Sequence, residues 1–337
     1  MSKYANISFK MCVQHAPSLN KMKVLVTGAT GFIGSALIDV LITSPDFDVV
    51  GMIRSKESYV KNPEVAYRLG EIGSPVREPI NLNDIDVIVH TAGRAHIMHD
   101  RHQNPVEEFR RVNTSGTINL ARLAVDSGVK RFVFLSSIKV NGESTDLGIP
   151  FSIDSIEDPR DAYGVSKYEA ERGLRDISRE TGLEVTIIRP PLVYGPGVKG
   201  NFNTLIRVLS SRIPLPLGSV KNNRRSMVGL DNLLSMIVTC VRHPMAANQT
   251  FLVSDKADLS TYSLLSVLGT SIGKPAVLFK FPIVMLVFIA KVLGMETKAQ
   301  RIMGTLQVDI SHTCSQLGWE PPFSVEYGLK KLSEKVK

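Results

Sequence analysis

The sequence predicts an α/β fold: a doubly wound parallel sheet followed by a smaller C-terminal lobe. Three observations carry that expectation. An apolar strand runs into a triple-glycine turn and then a helix between residues 22 and 42. Further continuous apolar runs alternate with amphipathic segments up to residue 189, the texture of strands covered on both faces. From Pro190 onward, Pro190-Pro191, Gly195-Pro-Gly197 and Pro214-Leu-Pro216 punctuate shorter elements. Residues 22–189 are therefore expected to form one domain. Residues 190–337 are expected to form mainly a substrate-binding lobe, interleaved with the last sheet strands.

The first element is Met22-Lys-Val-Leu-Val-Thr-Gly-Ala-Thr-Gly-Phe-Ile-Gly34. Gly28 and Gly31 let the backbone turn sharply and approach a pyrophosphate. Gly34 lets the following helix pack on the strand, and the helix N-terminus faces the anion. The spacing is Gly-x-x-Gly-x-x-Gly, not the commoner Gly-x-Gly-x-x-Gly. With a strand before and a helix after, the turn marks a dinucleotide-binding Rossmann domain. Strands are then expected over 48–54, 86–93, 131–137 and 184–189, with helices over 105–127 and 166–181. The run 281–293 is the most apolar in the chain, too short for a bilayer span and interrupted by Lys291. It reads as a buried or partner-facing helix in preference to a membrane contact.

Composition narrows the function classes. The chain has 337 residues, enough for a substantial core, and a net charge of +8. Basic residues are interspersed with acids, as in 175–180, and no arginine-rich helix appears, which argues against a nucleic-acid partner. A mildly basic enzyme that handles anionic ligands fits better. Three scattered cysteines, Cys12, Cys240 and Cys314, make neither a disulfide framework nor a thiolate metal site and fit a reducing, cytoplasmic setting. Residues 1–21 lack the apolar core of a signal peptide and read as a disordered tail, with Met22 an alternative start.

Tyr163-Gly-Val-Ser-Lys167 places a phenol and an ammonium one helical turn apart on one face. A free tyrosine titrates near ~10, too high for proton transfer at neutral pH. A nearby cation such as Lys167, aided by an oxidised nicotinamide, is expected to favour the phenolate. Ser137 falls at the C-terminal end of a strand, where open α/β sheets bind ligands, and can hydrogen-bond a reacting oxygen.

These segments together resemble the extended short-chain dehydrogenase/reductase family, within it the nucleotide-sugar epimerases, dehydratases and 4-ketoreductases. The resemblance covers residues 22–330. It rests on 27–34, on His90-Thr-Ala-Gly93, on Val112-Asn-Thr-Ser-Gly-Thr117, on Phe134-Leu-Ser-Ser137, on 163–167 and on Arg189-Pro-Pro-Leu-Val-Tyr-Gly-Pro196. It implies that Ser137, Tyr163 and Lys167 are catalytic. It implies that Gly28, Gly31 and Gly34 hold the cofactor diphosphate, that Thr30, Phe32 and Ile33 also bind the cofactor, and that Glu71 and Ile72 contact adenine. Thr91, Ala92, Gly93 and Pro190 join the cofactor set, together with Tyr163 and Lys167. Arg94, His96, Asn201 and Arg225 become substrate contacts, with Arg225 on the diphosphate. The family's epimerases often carry asparagine where this chain has Leu192, and tyrosine where it has Asn141. The run 134–143 with Arg94-Ala-His96 is more similar to the O-antigen (lipopolysaccharide) branch. That branch is associated with 4-reduction of UDP-2-acetamido-2,6-dideoxy-hexos-4-ulose to UDP-N-acetylquinovosamine.

The residue closing the second strand discriminates the cofactor, because an acid there suits NAD and an arginine suits the 2′-phosphate of NADP. Arg54 occupies that place, so NADP(H) is expected over NAD(H). NADPH in turn favours net reduction. The leading expectation is thus an NADPH-dependent 4-ketoreductase acting on a UDP-linked sugar. An NAD-dependent UDP-sugar 4-epimerase with the same residues is the alternative, and a catalytically idle dinucleotide-binding protein is a third. The histidines at 96, 99 and 102 lack a supporting carboxylate or cysteine set, so no metal is expected. A homodimer through the helices at 105–127 and 166–181 is what the resemblance implies.

Overall fold

The computed structural model describes residues 21–55, 62, 65–73, 80–95, 105–198 and 201–334. Strand β1 (Met22–Thr27) and helix α1 (Phe32–Leu41) lead into β2 (Phe47–Ile53), β3 (Ala66–Leu69) and β4 (Val87–His90). Next come α2 (Pro105–Phe109), a π-helical segment (Arg110–Ser115), α3 (Gly116–Asp126) and β5 (Arg131–Leu135). A 3₁₀ turn (Ile138–Val140) precedes α4 (Ala162–Thr181), β6 (Glu184–Arg189) and β7 (Leu192–Tyr194). Then follow α5 (Asn201–Ser210), β8 (Met227–Gly229), α6 (Leu230–Arg242), β9 (Thr250–Leu252) and α7 (Thr261–Ser271). Helices α8 (Ile283–Val292), α9 (Glu296–Met303), α10 (Ser311–Leu317) and α11 (Val325–Ser333) complete the described chain.

Seven strands form one sheet in the order β3-β2-β1-β4-β5-β6-β9, and every pairing is parallel. Parallel strands need helical crossovers, which is why both faces are covered and every residue of β4 and β5 is buried. Leu37 and Leu41 of α1 meet Leu233 and Ile237 of α6 on one face, while Leu120, Ala124, Ala170 and Leu174 of α3 and α4 fill the other. Chain direction across the sheet reverses between β1 and β4, opening a crevice at the C-terminal ends of the strands. A parallel pair, β7-β8, belongs to the C-terminal region, whose own core joins Tyr194, Phe202, Leu265 and Leu329. Helix α6 and strand β9, both beyond residue 190, return to the main sheet.

Three sequence expectations change. The single helix over 105–127 is interrupted by the π-helical segment, which turns Asn113 into the interior. Edge strand β3 was not anticipated, because Tyr67 and Arg68 break the apolar run and none of its residues is buried. The apolar run 281–293 does form a helix, but not a buried one: no residue of α8 is buried. No described helix is long and apolar enough to cross a membrane.

Candidate active site

The glycine turn is built as its spacing required. Gly28 has φ +67°, and its carbonyl accepts the Gly31 N–H at 2.8 Å. A β-carbon on Gly34 would stand 2.2 Å from that same carbonyl, and one on Gly28 would stand 2.9 Å from the Ala92 nitrogen. No side chain caps α1, so its first-turn N–H groups have no side-chain acceptor of their own. Thr30 and Gly31 are exposed at its mouth, with Phe32 and Ile33 half-buried behind them. A space that β-carbons would fill, next to an uncapped helix start, fits a dinucleotide diphosphate.

The remaining expected cofactor residues follow the C-terminal ends of neighbouring strands. Arg54 stands exposed just past β2, and Glu71 and Ile72 lie just past β3, with Ile72 against Gly116 at the start of α3. Thr91 donates to the Thr27 carbonyl at 2.7 Å, and Ala92 N–H donates to Thr27 Oγ1 at 3.2 Å, locking the β4 exit onto β1. Pro190, past β6, accepts the Ile138 N–H at 2.9 Å and so ties that strand end to the turn carrying Ser137.

A buried polar chain, absent from the sequence reading as a site, joins this cradle to α4. His90 Nδ1 meets Thr27 Oγ1 at 2.8 Å, and its Nε2 meets Thr117 Oγ1 at 3.0 Å. Thr117 donates to the Asn113 carbonyl at 2.7 Å. The Asn113 side chain accepts the Arg94 N–H at 2.7 Å and donates to the Arg94 carbonyl and to Ser166 Oγ, each at 3.0 Å. Asn113 thereby clamps the β4 exit loop to α4, and the π-helical segment is what aims it inward. Its place in Val112-Asn-Thr-Ser was the available signal.

Burial holds His90 neutral, with its pKa lowered to about 3 and the Lys167 charge adding to the effect. Because the unfolded histidine titrates near ~6.5, the unfolded chain takes up a proton that the folded one refuses. Stability is therefore full above that pH and falls as pH drops below it, by about 1.4 kcal/mol per pH unit from this residue. Urea unfolding between neutrality and pH ~4 reads that slope, and the His90→Gln variant should flatten it. A slope unchanged by the substitution would place its origin elsewhere.

Ser137, Tyr163 and Lys167 come together at the ends of β5 and α4. Ser137 caps the 3₁₀ turn after β5, accepting the Lys139 N–H at 3.3 Å, and its hydroxyl lies near enough to the Tyr163 phenol to lower that group's pKa. Asp161 caps α4 by accepting the Gly164 N–H at 2.7 Å, which starts the helix early enough to include Tyr163. The Phe109 ring meets the Tyr163 ring edge-on at 6.2 Å. Lys167 is almost fully buried. Its Nζ donates to the Leu135 carbonyl at 2.9 Å and lies 4.5 Å from the Phe134 ring centre. A β-carbon on Gly93 would come within 3.3 Å of that Nζ, so the cradle and the ammonium adjoin.

The protein's own groups do not produce the expected depression of the Tyr163 pKa. Burial and then the Asp161 charge push it up to about 12, and the nearby Ser137 hydroxyl only partly offsets them. Lys167 is instead lowered to about 8 by burial, opposed by the Glu171 charge. Residue spacing sets Lys167 as a cation next to the phenol but carries no measure of desolvation.

Behind the site, one turn beyond Lys167, Glu171 is fully buried against Arg189, whose Nε donates to it at 2.9 Å. Ser136, next to Ser137, donates to the same carboxylate, and Arg175 joins at 2.8 Å. Glu157 and Asn141 complete the shell around the Arg189 guanidinium. These ion pairs fasten α4 to the ends of β5 and β6.

Toward the C-terminal lobe, Arg94 pairs with Glu108 at 3.6 Å and lies over the Phe109 ring, one side chain removed from Tyr163. Arg225 donates to the Gly304 carbonyl at 3.3 Å, and its pKa is lowered by burial and then by the neighbouring Arg301 charge. Arg301, missed in the sequence, reaches Glu143 at 3.5 Å and Asp161 at 4.0 Å. Two adjacent guanidiniums beside the cap of α4 suit an anion such as a diphosphate. Asn201 opens α5, and its side chain lies outside the described residues, as do His96, His99 and His102. Among the described residues no group of three or more potential metal ligands occurs.

Comparison with known proteins adds to this geometry. The model of the NAD dependent epimerase/dehydratase family matches residues 24–254. A UDP-glucose 4-epimerase from Vibrio cholerae is 45% identical over 311 residues, covering 92% of this chain and 94% of that protein. An N-acetyl-alpha-D-glucosaminyl-diphospho-ditrans,octacis-undecaprenol 4-epimerase from Escherichia coli O157:H7 is 26% identical over 325 residues, covering 91% and 93%. Among solved structures, UDP-glucuronic acid 4-epimerase from Bacillus cereus in complex with NAD matches with a TM-score of 0.74 at 22% identity, covering 94% of this chain and 98% of that one. At that identity the likeness is one of fold.

Proposed function

This chain belongs to the NAD dependent epimerase/dehydratase family, and on that premise we propose that it interconverts the C4 epimers of a UDP-sugar with bound NAD. The observation that carries this reading is the 45% identity, over nearly the whole of both chains, to a UDP-glucose 4-epimerase. The alternative named from the sequence thus becomes the first reading, ahead of the 4-ketoreductase.

Bound between the glycine turn and Lys167, the dinucleotide would supply a hydride acceptor and then donor. Ser137 would hydrogen-bond the sugar C4 oxygen, and Tyr163 would take its proton and give it back. The two half-reactions cancel, so no net proton or electron is consumed. Lys167, lowered to about 8, is still mostly an ammonium at neutral pH and can hold a ribose while stabilising the phenolate. Arg225 and Arg301 would meet the sugar diphosphate, the group common to the substrates named for both curated relatives.

Two observations favour the second reading, an NADPH-dependent 4-ketoreductase of UDP-2-acetamido-2,6-dideoxy-hexos-4-ulose. Arg54 is exposed just past β2, and an arginine there would suit a 2′-phosphate. A ketone reduction needs Tyr163 as a proton donor, and burial and the Asp161 charge push its pKa up. The deciding experiment incubates the protein with UDP-glucose or UDP-N-acetylglucosamine and no added cofactor, and in parallel with the 4-keto sugar and NADPH. The epimerase reading expects C4 interconversion in the first arm. NADPH consumption in the second arm, with no interconversion in the first, would replace it by the reductase.

A further inference from the structure

We infer that α8 docks this protein on an anionic bilayer surface, lying in the interface with its axis along the membrane. Val284, Phe288 and Val292 follow one another at four-residue spacing and are 81%, 65% and 69% exposed, so they form one outward stripe. Met285 and Ile289 flank it, both exposed, and only Leu286 and Ala290 are half-buried. A monomeric soluble surface seldom carries so continuous an apolar patch without a partner. Ten residues make a helix about 15 Å long, half of what a bilayer span requires. A helix of that length can lie in the headgroup boundary but cannot cross it.

Charge selects the partner. From Leu259 to Met295 the chain has no acidic residue and three lysines, Lys274, Lys280 and Lys291. Lys280 and Lys291 are exposed at the two ends of the apolar stripe, where their ammonium groups can reach lipid phosphates while their stems stay in the apolar boundary. A two-fold contact between copies would also bury the apolar stripe but would bring the lysines of both copies together, a repulsion that lipid phosphates replace by attraction. An anionic lipid surface complements both the apolar stripe and the lysines.

Backbone hydrogen bonds join the segment before α8 to the chain leading toward the proposed substrate side. Leu215 N–H donates to the Val277 carbonyl at 2.9 Å, and Gly218 N–H donates to that of Phe279 at 2.9 Å. A β-carbon on Gly218 would come within 2.7 Å of the Phe279 backbone, so the two segments are in direct contact. After α9, which carries Arg301, Leu306 N–H donates to the Arg224 carbonyl at 2.8 Å, next to Arg225. The segments on either side of α8 and α9 thus run between the docking face and the stretch that carries Arg225.

Vesicle flotation of the full-length protein, without substrate, tests this directly. The protein should float with equimolar phosphatidylcholine and phosphatidylglycerol and sediment with phosphatidylcholine alone. Val284→Glu combined with Phe288→Glu should lower the floated fraction about tenfold or more, because each replaces exposed apolar surface by a charge that lipid phosphates repel. Lys280→Glu combined with Lys291→Glu should lower it about as far by removing the attraction. Thermal melting and turnover in free solution should be unchanged in both variants, which separates lost docking from lost folding. Failure to float with the anionic vesicles, or flotation equal in wild type and both variants, would overturn the inference. So would a wild-type dimer that the Val284→Glu/Phe288→Glu protein fails to form, with no flotation by either. Because flotation needs no turnover, its failure is distinguishable from failure of the epimerase reading.

Discussion

Tyr163→Phe lowers turnover by about 10²–10⁴-fold while dinucleotide binding is retained. The substitution keeps the ring that meets Phe109 edge-on at 6.2 Å and removes only the hydroxyl that faces Ser137. The glycine cradle and Lys167 do not depend on that oxygen. Their contacts run through the Gly28 carbonyl, the uncapped start of α1 and the Leu135 carbonyl. Steady-state kinetics with the UDP-sugar, set beside a dinucleotide binding titration, separates the two effects. Unchanged turnover would remove Tyr163 from the proton path.

Breaking the ion pair behind the site should have the largest effect on stability. Arg189→Met leaves Glu171, which is fully buried, with Arg175 and Ser136 but without its main counter-charge. The expected loss is about 3 kcal/mol or more, since an uncompensated buried carboxylate forfeits its hydration. The double variant Arg189→Met with Glu171→Met should recover much of it, because no charge is then stranded. Urea unfolding of the single and double variants measures the coupling. Equal destabilisation by both would mean that packing volume, not charge pairing, is what the pair contributes.

The glycine cradle was legible because its causes are local. A positive φ at Gly28, a helix start at Phe32 and a packing demand at Gly34 are all satisfied within a few residues of one another. The Tyr163–Lys167 face was legible for the same reason, being one turn of α4. Arg189 and Asn113 lay in segments singled out for their resemblance, yet neither was assigned its partner. Arg189 finds Glu171 across eighteen residues of sequence, and Asn113 reaches both Arg94 and Ser166. Arg301 was missed because its relation to Asp161 exists only once the end of the chain folds back on α4.

By itself, then, the sequence determined a parallel α/β sheet, the glycine turn at Gly28–Gly34, and the one-turn spacing of Tyr163 and Lys167 on α4. Periodicity and backbone propensity act between near neighbours along the chain, so they can be read from it. Only the tertiary structure decided the protonation of Tyr163, Lys167 and His90, the partner of Arg189, and the exposure of α8. Those depend on how much water each group loses and which charges face it. Both are set by residues far apart in sequence that packing brings within a few ångströms.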